Sequence, residues 1–400
     1  MQPRISAKIS KFHPSLTLSL KRLANVRREQ GLPVYDFGLG ETKGTLAPHI
    51  AEAAAGAYLN GRTMYEDPAG IIELRVAALE WLDLADDYGP ENVIITTGAK
   101  QSLFNIFLGI CNPSDCVLLD SAPWVSYQPL AVAAYAFPVM VLPEEDRRHL
   151  KITAKDLERN LRMRPESRLF LLNNPCNPTG QLYSADEVEE LLAVCVEHGI
   201  YFVLDRLYWK LLLDGQDYPA PRIDEQTKRW IIQVDGISKN FRRTGGLRIG
   251  WTVAPADLAQ AMASVQSHYT SGPATPAQVG ALAAITHPYS FELRDDLQRK
   301  RGLLREETLT LPHVEVWPTP ATFYSFWDVR ACFGMKTPEG KSLECSNDVA
   351  EYLITTAGIV TASGQAFMQE GFLRISFAVP DEELTAGLRA ARGAFGALQS

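Results

Sequence analysis

The sequence predicts an α/β protein in which a mostly parallel sheet is wrapped by helices and followed by a smaller α+β domain. Two observations predict it. From residue 93 onward, short apolar runs of strand character alternate with stretches of helical period, the pattern of βα units. After about residue 285 the alternation gives way to a helix, two strands, a helix, a strand and a last helix. Because 400 residues exceed what one compact core usually holds, the expected division is an N-terminal arm and approach loop at 1–45, a large domain at 46–288 and a small domain at 289–400.

Each element follows from local pattern. Residues 1–30 mix cations with apolar positions and read either as an arm or short helix seeking another surface, or as a frayed terminus. A short strand at 34–37 runs into Gly38, Gly40 and Gly44, a flexible approach that lets backbone near a ligand. Residues 49–60 and a stretch ending near 84 have helical spacing, separated by a turn-rich loop that carries Tyr65, Pro68 and Gly70. The strand at 93–97 breaks at Gly98 and leads to an apolar helix at 101–110. Further strands fall at 117–120, 137–142 and 169–173. Ser184-Ala-Asp-Glu187 is a capping box opening a helix to His198, stopped by Gly199. Strands at 201–205, 231–234 and 249–253 complete the large domain. The small domain holds helices at 291–309, 347–357 and 380–398, and strands at 314–317, 323–329 and 372–377.

A net charge of −8 argues against general nucleic-acid affinity, while leaving room for a local basic site. The six cysteines show neither a disulfide framework nor metal-ligand spacing, so no metal is expected and a reducing compartment, the cytoplasm, is. No apolar run is long enough to span a bilayer, and the first residues lack the apolar core of a signal peptide.

Ligands of such sheets bind beyond the carboxyl ends of the strands, and the chemistry-bearing residues cluster there. Lys239 lies between the strands at 231–234 and 249–253, among small and polar residues with Arg242, Arg243 and Arg248 nearby; the loop reads either as a Schiff-base site or as a solvated basic loop. The Gly98-Ala99-Lys100-Gln101 turn opens a helix, so free N–H groups and the helix dipole make a phosphate site. In Asn173-Asn-Pro-Cys-Asn177-Pro-Thr-Gly180, two prolines hold a rigid extended loop that aims Asn177 into the cleft. Asp205 ends an apolar strand, where its charge requires a cationic partner unless it caps a loop.

Together, the Asn-Pro-Cys-Asn-Pro-Thr-Gly loop, Asp205-Arg-Leu-Tyr208 and the segment from Ser238-Lys-Asn-Phe to Arg248-Ile-Gly resemble the class I/II aminotransferases. These are enzymes of fold type I that use pyridoxal 5′-phosphate, and the likeness is to their bacterial aspartate-aminotransferase-like group. The resemblance implies that Lys239 holds the cofactor as a Schiff base and moves the substrate Cα proton, and that Asp205 pairs with the pyridine nitrogen. It implies that Asn177 and Tyr208 hydrogen-bond the ring's phenolic oxygen and that Trp124 stacks on its face, although Trp124 and Tyr208 also read as plain core aromatics. Gly98, Ala99, Lys100, Ser238 and Arg248 would hold the phosphate, joined by Tyr65 from the other subunit of a homodimer with shared sites. Arg374 would clamp the substrate α-carboxylate bidentately, with Gly40, Asn177 and Trp124 also against substrate.

Three departures bear on the reaction. Arg206 stands where an acidic residue commonly follows the aspartate, the Lys239–Arg248 loop is one residue longer and carries Arg242-Arg243, and the approach loop carries Lys43. The stretch 261–292, where a partner-subunit arginine for a dicarboxylate would be sought, contains none; His268 and Tyr269 stand there. The expected activity is therefore amino-group transfer from an L-amino acid to a 2-oxo acid. The alternative is γ-elimination, γ-replacement or carbon–carbon bond formation with S-adenosylmethionine, the cationic rim accepting a nucleotide-bearing or phosphorylated co-substrate.

Overall fold

The computed structural model describes residues 17–144 and 148–399. The part of the arm expectation that falls on residues 1–16 lies outside them. In chain order the strands are β1 (Tyr35–Asp36), β2 (Val93–Thr96), β3 (Cys116–Leu119), β4 (Phe137–Met140), β5 (Ser167–Asn173), β6 (Tyr201–Asp205), β7 (Ile231–Gly236), β8 (Gly250–Val253), β9 (Glu315–Val316), β10 (Tyr324–Asp328), β11 (Ile359–Val360), β12 (Ala362–Ser363) and β13 (Phe372–Ser376).

The large sheet has seven strands in the order β2-β8-β7-β6-β5-β3-β4. Pairing is parallel from β7 through β4, and β8 runs antiparallel to both of its neighbours. Strands β2, β3, β7 and β8 are buried along their whole length, which is why they read as unbroken apolar runs. Helices cover the sheet. That at Ala99–Ile110 packs on Ala256–Ser267 and Tyr127–Ala133, and Ala185–Glu197 packs against Ala154–Met163. Ser184 Oγ accepts from Glu187 N, and Glu187 Oε2 accepts from Ser184 N, the reciprocal cap expected from the sequence.

Several helices escape a reading by periodicity. Thr275–Thr286 is apolar or small nearly all round because it is wedged against Pro48–Leu59 and Ile72–Trp81, so it lacks the polar face that marks a surface helix. A second, four-stranded antiparallel sheet, β12-β13-β10-β9, forms after residue 315 and packs on Glu292–Thr308 and Asp381–Gly396 through a core that includes Leu297, Leu304, Trp327, Leu373, Leu388 and Phe395. The chain's early strand crosses to this part of the molecule: β1 pairs in parallel with β11. That pairing carries residues 38–44 across the carboxyl ends of the large sheet. Among the described residues no helix is long and apolar enough to cross a membrane.

Candidate active site

The carboxyl ends of β5, β6 and β7 open on a cavity of about 340 Å³, lined among others by Lys239, Asp205, Tyr208, Asn177, Trp124 and Arg374. Gly40, Ala99, Lys100, Ser238 and Arg248 also reach it. Residues spread over more than three hundred positions thus meet in one space because each sits just past a strand end.

Lys239 lies in the single helical turn Ile237–Asn240 directly after β7. A side chain at Gly236 would come within 2.8 Å of the backbone of Ile249 and Gly250, so only glycine lets β7 and β8 close up before the lysine. Its Nζ donates to the carbonyl of Gly40 and stands 6.0 Å from the ring centres of Tyr208 and Phe323.

Asp205 closes β6 and is 4% exposed. Its Oδ2 accepts from Tyr127 Oη at 2.7 Å and its Oδ1 from Leu207 N at 3.2 Å. Burial pushes the carboxyl up to about 6, against the pull of those hydrogen bonds and of the Lys239 charge. The protein alone leaves this charge under-compensated, and the donor set suits a cationic heterocycle nitrogen placed against it.

The loop after β5 is held from within. Asn173 Oδ1 accepts from Asn177 N at 2.7 Å, and Asn173 Nδ2 donates to the Asp205 carbonyl at 3.0 Å. Asn177 is thereby aimed at Tyr208 Oη, 3.5 Å from its Nδ2, and at Arg374, whose Nη1 donates to Asn177 Oδ1 at 3.0 Å. Arg374 also donates through Nη2 to the Gly38 carbonyl at 3.0 Å, lies 4.3 Å over the Tyr324 ring, and keeps a buried Nε without a partner. Far from the surface residue that an isolated strand arginine suggests, it is 7% exposed.

At the other end, Gly98 has φ +77° and a Cβ there would stand 2.3 Å from Arg248 Nη2. At that φ glycine is favoured, and Ala99 and Lys100, which line the cavity, open the helix where N–H groups lack internal helical partners. Arg248 adopts the left-handed conformation, φ 58°, which returns its side chain to the Gly98 turn. Lys100 Nζ stands 5.0 Å over Trp124, and burial with the charges of Arg248 and Lys239 lowers its proton affinity.

These partners find the chain's own residues matched to pyridoxal 5′-phosphate: a buried carboxylate lacking a cation, a lysine, and an anion-binding helix start in one cavity large enough for a substituted pyridine and a small amino acid. The family described as aminotransferase class I and II matches residues 33–390. The chain belongs to the class I and II aminotransferases. This aminotransferase is 31% identical over 396 residues to the probable aspartate/prephenate aminotransferase of Aquifex aeolicus, covering 97% of this chain and 98% of that one. It is 33% identical over 394 residues to the aspartate/prephenate aminotransferase of Thermus thermophilus, covering 96% and 97%. The solved aspartate aminotransferase of Rhizobium meliloti superposes with a TM-score of 0.93 at 29% identity over the full length of both chains. Like its family, the protein is a pyridoxal-phosphate-dependent transferase of fold type I.

Two expectations are corrected. Most of the expected cationic rim is paired within the chain: Lys43 Nζ meets Glu383 Oε2 at 2.6 Å and Arg242 Nη2 meets Asp296 Oδ2 at 2.8 Å, which leaves Arg243, exposed, of the three added cations. Arg206 does not sit beside the cofactor cavity. It is buried with its guanidinium 4.6 Å from Trp209 and 4.5 Å from Tyr218, donates to Gln233 Oε1 at 2.7 Å, and lines a separate cavity of about 480 Å³ that contains neither Lys239 nor Asp205. The reaction on S-adenosylmethionine thereby loses the charge pattern that motivated it, and the relatives are aminotransferases.

Tyr65 is not brought to the cavity within one chain; it is 93% exposed, in a run with Leu59 at 87% and Met64 at 79%. Tyr127 and Tyr324 were not legible as site residues. Tyr127 follows Trp124 by three positions, a spacing that is its one local signal, whereas Tyr324 reaches Tyr208 Oη at 3.3 Å only through the register of β10 against β13, which a lone sequence does not carry.

Proposed function

We propose that the enzyme transfers the amino group of a dicarboxylic L-amino acid, aspartate or a close analogue, to a 2-oxo acid, with the site residues in the following roles. The observation that carries the proposal is the convergence of Lys239, Asp205 and Arg374 on one cavity. When bound, the cofactor supplies an electron sink for the carbanion at the substrate Cα. Asp205, short of a cation, would hold the ring nitrogen protonated. Asn177 and Tyr208 would bind the phenolic oxygen and Trp124 the ring face, while Gly98, Ala99, Lys100, Ser238 and Arg248 would hold the phosphate.

Lys239 would hold the cofactor covalently and, once displaced by substrate, take the proton from Cα and return it. Arg374 would take the α-carboxylate through its fork, the Asn177 and Gly38 oxygens fixing the plane in which it is presented. Aspartate and prephenate, which the relatives' names carry, each have two carboxylates.

Tyr65 with Tyr58, Leu59 and Met64 forms an exposed apolar stretch beside a hollow bounded by Thr270–Pro276, which supports a homodimer in which Tyr65 reaches the other subunit's phosphate site. The reducing interior of the cell is the proposed location, in keeping with the free cysteines.

The test mixes the loaded enzyme with candidate amino acids. Aspartate should convert the lysine-bound cofactor to its amine form with one equivalent of 2-oxo acid. Conversion by monocarboxylic amino acids alone would overturn the dicarboxylate assignment. In Lys239→Ala the absorbance of lysine-bound cofactor should vanish, and its survival would overturn the central role.

A further inference from the structure

We infer that Arg242 is a positioning residue, which straps the approach loop so that the loop's carbonyls hold Lys239 and Arg374 ready for an amino acid; the inference rests on the proposed roles of those two residues. The arginine follows Lys239 by three positions and points away from the cavity, onto residues 38–44. Its Nη1 donates to the Lys43 carbonyl at 2.8 Å and its Nη2 to Asp296 Oδ2 at 2.8 Å. Gly44, with φ +131°, lies flat on the arginine's stem, where a Cβ would stand 2.9 Å from Arg242 Cδ.

The other end of the loop is pinned too. Glu383 accepts from Asp36 N at 3.2 Å with one oxygen and from Lys43 Nζ at 2.6 Å with the other. Between these pins lie the two carbonyls that touch the site: Gly38 accepts from Arg374 Nη2 at 3.0 Å and Gly40 from Lys239 Nζ. Asp296, the strap's far anchor, is itself fixed in the helix Glu292–Thr308 by Lys300 Nζ at 2.8 Å and Arg299 Nη2 at 2.7 Å, and Arg299 continues to Asp381. Although burial opposes it, the donors Arg242 and Lys300 hold the Asp296 carboxyl below its ordinary range.

The geometry uses what only arginine has. Its planar fork donates in two directions at once, to a carbonyl on one side and a carboxylate on the other, whereas a lysine ammonium serves one of them well. With the strap released, the glycine-rich loop samples other shapes, and the fraction of molecules whose carbonyls are in place falls. Substrate affinity falls by that fraction, with no change at the reacting atoms.

The experiment compares Arg242→Gln, Asp296→Asn and the double variant as loaded enzymes, using maleate as a non-reacting dicarboxylate. Each single variant should raise the maleate Kd about fivefold, the scale of a partly buried ion pair, with kcat at saturating aspartate within about twofold of the parent. The double variant should be no worse than the weaker single, because both changes cut one link. Hydrogen exchange of the 38–44 amides should quicken in all three, with or without ligand. An unchanged Kd, or single effects that multiply in the double variant, would overturn the inference. Failure of the parent enzyme to bind maleate would instead count against the dicarboxylate reading; the exchange of residues 38–44 still decides the strap, and unaltered exchange refutes it.

Discussion

Replacing Asp205 by asparagine should stabilise the cofactor-free protein at neutral pH and weaken its hold on the cofactor. In the unfolded chain the carboxyl titrates near its ordinary value of 3.8, and in the folded chain burial moves it to about 6. Between those values the folded protein keeps a proton the unfolded chain has released, so stability falls as pH rises through that window. Two units correspond to about 3 kcal/mol of destabilisation, fully present above pH ~6. Asparagine has no charge to desolvate, but its amide nitrogen would face either Tyr127 Oη or Leu207 N where an oxygen now accepts, a loss of about 1 kcal/mol. The variant should therefore be about 2 kcal/mol more stable than the parent at pH 7.5 and about 1 kcal/mol less stable near pH 3. Urea unfolding of both cofactor-free proteins across that range measures the gap. A gap that does not change with pH would refute the reasoning, whatever its size. In the loaded enzyme the proposed pairing of Asp205 with the ring nitrogen reverses the sign, since asparagine would give up that charge-assisted bond; cofactor Kd should rise about 30-fold or more, from roughly 2 kcal/mol.

The same geometry sets further outcomes. Arg374→Lys keeps the charge but loses the fork, and should lower kcat/KM for aspartate about 30-fold, from one charge-assisted bond of roughly 2 kcal/mol, mainly through KM; steady-state kinetics checks it. Lys100→Met removes a cation from the proposed phosphate site and should raise the cofactor Kd about tenfold; an unchanged Kd would take Lys100 out of that site. Gly98→Ala forces a Cβ against Arg248 Nη2 at a positive φ and should raise the cofactor Kd about tenfold, read by equilibrium dialysis. Mixed dimers of Tyr65→Ala with Lys239→Ala should recover activity that neither parent has, because one of their two sites is whole; no recovery argues against shared sites.

Much of the fold is written in local pattern. The strands at the heart of the large sheet are short runs buried on both faces, so their apolarity alone marks them, and Ser184 with Glu187 announces its helix by a cap of two reciprocal bonds. The residues ending those strands, Asp205, Asn177 and Lys239, are legible for the same reason, since a charged or rigid polar group following an apolar strand needs a purpose. Thr275–Thr286 is not legible, because a helix enclosed by other helices has no polar face to set its period.

The strand ends and the chemistry each one carries can be read from the order of residues, because both depend on neighbours a few positions apart. Which charges act on that chemistry is set by the folded chain. Lys43 and Arg242 look like a cationic rim in one dimension, yet Glu383 and Asp296, 340 and 54 residues away along the chain, take up their charge and turn them into supports for the loop. Arg206, adjacent to Asp205 in sequence, is carried by the alternation of the backbone away from the cofactor cavity into a box of aromatic rings. Charge is felt through space, and that space is set by pairings between distant stretches of chain, Tyr35 with Ile359 in β1 and β11 and Tyr324 with Ser376 in β10 and β13.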